Sequence, residues 1–155
     1  MSSIRIIGVG SPSGDCAGLL AIDRLEQMEL QLNFPKHQII LEKLDHPGPA
    51  LLSSIQNADL AIVIDTLICS HAPGEVVPLT PDAVTQDEWV LSENSLGVAE
   101  TIALGRVLGE LPDSLLLLGI AVDQDSSISS DNVDISSATV ESILRHITKH
   151  IEQVE

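Results

Sequence analysis

The chain is 155 residues long, enough for one domain with a sizeable core. Hydrophobic residues make up 44% and charged residues 19%, which excludes a disordered chain, and no apolar run approaches the width of a bilayer. With 23 Asp and Glu against 7 Lys and Arg, the formal net charge is −16, a field that repels phosphate backbones and excludes nucleic acid as a natural partner.

The same acidity suits a cationic ligand or a basic peptide, and it also serves plain solubility. Cys16 and Cys69 have no metal-type spacing and imply no disulfide framework. Trp89 and Phe34 are the only large aromatic side chains, so the core is expected to be aliphatic. Met1-Ser2-Ser3-Ile4-Arg5 runs straight into a strand without a signal peptide, so a cytoplasmic location with no membrane association is expected.

Ile4-Arg5-Ile6-Ile7-Gly8-Val9 predicts the first strand. Leu19, Ile22, Leu25 and Met28 then recur at three-residue spacing, with Asp23, Arg24 and Glu26 between them, as in an amphipathic helix. Gln38-Ile39-Ile40-Leu41-Glu42-Lys43-Leu44 predicts the second strand, and a short helix is expected from Pro49 to Gln56. Leu60-Ala61-Ile62-Val63-Ile64 is wholly apolar, as strands buried on both faces are. Gly74-Glu75-Val76-Val77-Pro78-Leu79 predicts an edge strand, because Pro78 would interrupt a central ladder.

Leu96, Ala99, Ala103, Val107 and Leu111 repeat at three or four and predict one face of a long middle helix. Leu115-Leu116-Leu117-Leu118-Gly119-Ile120 predicts another buried strand, and the Ser/Asp-rich residues 123–134 predict a loop. Val140, Ile143, Leu144, Ile147 and Ile151 mark a closing helix, with Ser136-Ser137 suited to cap it. His37, His71, His146 and His150 read as solvated loop or helix-face residues. Alternating strands and helices predict a three-layer α/β/α sandwich with a mainly parallel twisted sheet, forming a single domain over residues 1–155.

In such sheets ligands sit outside the carboxyl ends of the strands, where the strand order reverses. The polar residues that follow the predicted strands are therefore the candidates. They are Gly10-Ser11-Pro12-Ser13-Gly14-Asp15-Cys16, then Asp45-His46-Pro47-Gly48, then Asp65-Thr66, with Ser92-Glu93-Asn94-Ser95 ahead of the middle helix. Converging, they would offer oxygen and imidazole donors suited to a borderline metal ion such as nickel or zinc. Structural roles stand beside these: Asp15 and Asn94 both suit a helix N-cap, Asp65 suits the cap of a turn, and His46 before Pro47 suits a surface loop. Gly8-x-Gly10 resembles the opening of a dinucleotide fingerprint, but Gly14 falls one position beyond its third glycine.

Several segments in order resemble one family. They are Gly8-Val9-Gly10-Ser11, Asp15-x-x-Gly18 with Ile22-Asp23-Arg24-Leu25, and Leu44-Asp45 with Leu51-Leu52. Ile62-Val63-Ile64-Asp65, Ala72-Pro73-Gly74-Glu75-Val76, Ser92-Glu93-Asn94-Ser95-Leu96-Gly97, Leu118-Gly119-Ile120 and Ile135-Ser136-Ser137 follow. Together they resemble the nickel–iron hydrogenase maturation endopeptidases along nearly the whole chain. The resemblance implies an endopeptidase that removes the C-terminal extension of a hydrogenase large-subunit precursor after nickel insertion. It also implies that nickel carried by the substrate is read by two carboxylates and a histidine, whose places fall on Asp15, Asp65 and Asn94. Asn94 departs from the family histidine, and an amide oxygen is a weaker nickel ligand than imidazole. His46, where the family tends to have glycine, is the one imidazole on a neighbouring strand end.

The chain has no Gly-x-Ser-x-Gly elbow, and Cys16 has no histidine partner evident in the sequence, so hydrolysis without a covalent intermediate is expected. Either a carboxylate acts as general base on water or the metal polarises the carbonyl. Two alternatives come from other classes: a non-catalytic relative that binds the immature large subunit, and a nucleotide-binding domain.

Overall fold

A strand that is apolar on both sides needs cover on both sides, and helices supply it. The computed structural model, which describes residues 2–10, 16–45, 49–68, 72–81, 90–91, 98–122 and 135–154, has this arrangement. In chain order the elements are β1 (Ser2–Val9), α1 (Ala17–Glu26), α2 (Leu30–Asn33), β2 (His37–Leu44), α3 (Pro49–Ile55), β3 (Leu60–Ile68), β4 (Val76–Leu79), β5 (Val90–Leu91), α4 (Val98–Leu108), β6 (Ser114–Val122) and α5 (Ser137–Glu152).

The sheet runs β2-β1-β3-β6-β4, with β5 added to β3. β1 pairs parallel with β2 and β3, and β3 pairs parallel with β6. β4 and β5 are antiparallel to their neighbours. Pro78 does lie on an edge strand, where its missing N–H breaks no interior ladder. The mainly parallel α/β sandwich read from the sequence is therefore the observed fold.

Side-chain alternation divides each strand between two cores. Ile4, Ile6, Ile62, Ile64, Leu116, Leu118 and Ile120 pack with Ala21, Ile22 and Leu25 of α1 and with Val140, Ile143, Ile147 and Ile151 of α5. Ile7, Val9, Ala61, Val63, Leu67 and Leu117 pack with Leu51, Leu52 and Ile55 of α3 and with Val98 and Ile102 of α4. Both cores are aliphatic, as the scarcity of aromatic residues requires. α5 starts where the serine pair predicts: the Ser136 side chain accepts from the Thr139 N–H at 3.1 Å.

The structure corrects several readings. Residues Ala103 and Val107, read as part of the regular apolar face of α4, are exposed, and the buried stripe is Val98, Thr101, Ile102 and Gly105. α4 is apolar on more than one side, so periodicity alone did not say which side faces in. Gly109, with φ 68°, ends α4: its N–H donates to the Arg106 carbonyl and the Glu110 N–H to the Gly105 carbonyl. Leu111 lies beyond the helix yet still packs on the core. Met28 likewise lies past α1 and is exposed. His37 is not solvated: it opens β2 and is buried. His71 and the loop expected over residues 123–134 lie outside the described residues.

Candidate functional site

β1 leads to β2 on one side, and the chain then crosses back to place β3 and β6 on the other. The strand order thus reverses between β1 and β3, the crevice where open α/β sheets take their ligands. The β1–β3 ladder ends at the pair Gly8 and Ile64, while the β3–β6 ladder continues to Ile68 and Val122. β3 therefore outruns β1. Among the described residues, Asp65 and Thr66 fall between the last β1 pair and the β5 pairs at Leu67 and Ile68.

Asp65 was read as the residue that follows the third strand. It lies instead inside β3, opposite Gly119 of β6, because residues 65–68 keep pairing with β6 after β1 has ended. The side chain is 3% exposed, and its Oδ1 accepts the Thr66 N–H at 2.7 Å. A turn-capping carboxylate would be solvated at a strand end, and this one is buried within the sheet. A carboxylate is costly to hold within a sheet where an aliphatic side chain would pack without any compensation, so its presence points to use. Alternation places it on the same face as Ala61, Val63 and Leu67, the face covered by α3 and α4. Its neighbour across the ladder is a glycine: a Cβ on Gly119 would stand 2.7 Å from the Leu67 Cβ.

Thr66 points to the opposite face, is fully buried, and its Oγ1 has no hydrogen-bond partner among the described residues. Sequence reading named this threonine only as the companion of Asp65.

Glycines bring α1 down onto this crevice. A Cβ on Gly18 would stand 2.3 Å from the Ile64 carbonyl oxygen and 2.5 Å from that of Val9. A Cβ on Gly8 would stand 2.2 Å from the Gly18 carbonyl oxygen. Backbone thus meets backbone where β1 and β3 part, which explains Gly8 and the glycine of Asp15-x-x-Gly18 without any nucleotide. Cys16, not Asp15, occupies the N-cap position of α1, and its side chain makes no capping bond. Cys16 is 3% exposed, so its thiol is shielded from any substrate.

Asp15, His46 and Asn94 lie outside the described residues. The described residues that flank them stand at the carboxyl edge of the sheet. Gly10 follows β1 and donates its N–H to Leu44 at the end of β2, at 3.2 Å. Cys16 is the N-cap of α1, Asp45 follows β2, and Pro49 opens α3. Leu91 pairs with Leu67, and Val98 opens α4.

Lys43 on β2 and Arg5 on β1 are both paired with carboxylates. Lys43 Nζ donates to Asp23 Oδ1 at 2.7 Å, and that hydrogen bond and charge raise the Lys43 pKa. Arg5 pairs with Glu42 at 3.1 Å, and Glu42 also accepts from Ser54 of α3 at 2.7 Å. Among the described residues no group of three or more His, Cys, Asp or Glu side chains could hold a metal ion. No described helix is long and apolar enough to cross a membrane.

The hydrogenase maturation protease family model matches residues 26–153. Asp65, His46 and Asn94 fall inside that match, and Asp15 precedes it. The hydrogenase 2 maturation protease of Escherichia coli is 28% identical over 127 residues, covering 76% of this chain and 71% of that protein. Among solved structures, the hydrogenase maturating endopeptidase HybD of E. coli superposes with a TM-score of 0.62 at 24% identity, over 96% of this chain and 89% of that one. The solution structure of another E. coli endopeptidase gives 0.67 at 21% identity, over 98% and 91%. At these identities the two structural likenesses establish the fold.

Proposed function

This chain belongs to the hydrogenase maturation protease family, and from that premise we propose that it cleaves the C-terminal extension from a nickel–iron hydrogenase large-subunit precursor once nickel is in place. One observation carries the reading at the level of chemistry. Asp65 is a carboxylate buried at the point where the strand order reverses, on the face covered by α3 and α4. Membership in a family of maturation endopeptidases supplies the reaction class.

In this reading nickel is the substrate's cargo. Asp15 and Asp65 engage it as anionic oxygen donors, and Asn94 contributes an amide oxygen. His46 supplies the imidazole that position 94 lacks, since nickel favours nitrogen over a neutral carbonyl. Engagement places the scissile peptide against the cleft, and a carboxylate takes the proton of the attacking water. The buried Cys16 leaves a thiol nucleophile without access. In this reading the protein acts in the cytoplasm.

Asn94 in the histidine's place favours a second reading, a relative that binds the immature large subunit without cutting it. The two part in one assay: the protein is incubated with nickel-loaded and nickel-free precursor, and the large subunit is followed by gel mobility. A shift only with the nickel-loaded form supports the protease. Co-purification with the precursor and no shift in either form supports the binding protein and overturns the protease.

A further inference from the structure

The exposed side of α4 is apolar where a solvated helix is usually polar. Leu104, Val107 and Leu108 are 51%, 83% and 54% exposed. Leu104 also walls a groove of about 340 Å³ between α3 and α4, together with Leu52, Gln56, Glu100 and Glu110. The two helices come close because Gly105 carries no side chain: a Cβ there would stand 2.9 Å from Leu52 Cδ1. Large apolar groups gathered beside a groove and rimmed by polar ones mark a docking surface. α3 has 7 residues, which gives a groove about 10 Å long, two turns of a facing helix.

Charge decides the occupant. Glu100 and Glu110 line the groove, and none of its lining residues is Lys, Arg or His. Arg106, the one basic residue of α4, lies about 160° around the helix from Leu104. A second copy of this chain would bring the same two carboxylates and a net charge of −16, and like charges at a contact oppose association. We propose that the α3–α4 groove docks a cationic amphipathic helix of a partner protein, its apolar face on Leu52, Leu104 and Leu108 and its Lys or Arg side chains beside Glu100 and Glu110. None of the residues that line the groove is among the donors assigned to the crevice at Asp65, so the inference stands or falls independently of the protease reading.

The probe is a short synthetic Leu/Lys amphipathic peptide with a fluorescent label, followed by anisotropy, with a Leu/Glu peptide of the same pattern beside it. The wild-type protein binds the Leu/Lys peptide and not the Leu/Glu one. Leu104→Asp weakens binding about tenfold or more, as expected when a half-exposed leucine no longer gains cover. Glu100→Gln with Glu110→Gln lowers both affinity and its dependence on salt. Leu32→Asp, at an exposed leucine on α2, changes neither. Circular dichroism checks that each variant folds, and Leu108→Asp, at a similarly exposed position on the same face, replaces Leu104→Asp if that variant does not. Equal binding by the Leu104→Asp or Leu108→Asp variant, or equal binding of the Leu/Glu peptide, overturns the proposal. So does wild-type self-association in sedimentation that Leu104→Asp abolishes, which would assign the groove to a second copy.

Discussion

At the scale of single residues, the proposed function rests on Asp65, a carboxylate buried in β3 whose Oδ1 accepts the Thr66 N–H. Asp65→Asn keeps an Oδ1 to accept the Thr66 N–H, so unfolding free energy should change by no more than about 1 kcal/mol in a urea titration. Precursor cleavage should fall by about a hundredfold or more, the scale on which a positioned acid–base or charge-stabilising group acts. A variant that is fully active, or inactive only because it is unfolded, would remove Asp65 from the mechanism. Asn94→His should strengthen engagement of nickel-loaded precursor, and His46→Ala should weaken it, read as precursor affinity by biolayer interferometry. No change in either variant would refute the donor set. His146 has a separate consequence: burial first, then the charges of His150, Lys149 and Arg145, lower its pKa in the folded protein. The unfolded chain therefore takes up the proton first, so this contribution to stability is present above about pH 6.5 and is lost as pH falls through the lower folded pKa. His146→Gln should flatten the loss of urea midpoint between about pH 7 and pH 5, and an unchanged slope would contradict it.

At the scale of elements, the strands were legible because both of their faces are apolar, and their ends were not. A polar residue after Ile64 reads as a strand end, yet Asp65, Thr66, Leu67 and Ile68 keep their ladder to β6. Only the pairing partner reveals that a buried carboxylate belongs inside the strand. β5 and α2, of 2 and 4 residues, are too short for any period to show. The face of α4 was misread because valines and leucines occur on several of its sides, and burial follows contact with β3 and α3 rather than the count of apolar positions. Of the candidate site, the sequence pattern located Asp65 and Gly18 but did not reveal that Gly18 presses on the carbonyls of Val9 and Ile64. That contact makes a sharp test of how α1 meets the crevice. Gly18→Ala must push backbone from backbone, and overpacking of this kind costs about 1–3 kcal/mol. Ala103→Gly, a change in helix propensity at an exposed position of α4, should cost no more than about 1 kcal/mol. Equal effects of the two in chemical denaturation would mean that α1 has room to retreat.

At the scale of the whole molecule, the two proposed sites lie on one acidic α/β sandwich. The crevice at Asp65 opens at the carboxyl edge of the sheet, and the α3–α4 groove runs along the side of the same layer. A net charge of −16 favours approach by basic segments of a substrate or partner and weakens as salt screens it. In the proposed function this chain is a protease whose action needs the Asp65 carboxylate. The most direct measurement is the intact mass of a nickel-loaded large-subunit precursor after incubation with the wild-type protein and, in parallel, with the Asp65→Asn variant. A protease that works through Asp65 gives a C-terminal peptide and a correspondingly lighter subunit with the wild-type protein, and uncut precursor with the variant. An unchanged precursor mass with the wild-type protein, or equal cleavage by the variant, would contradict it.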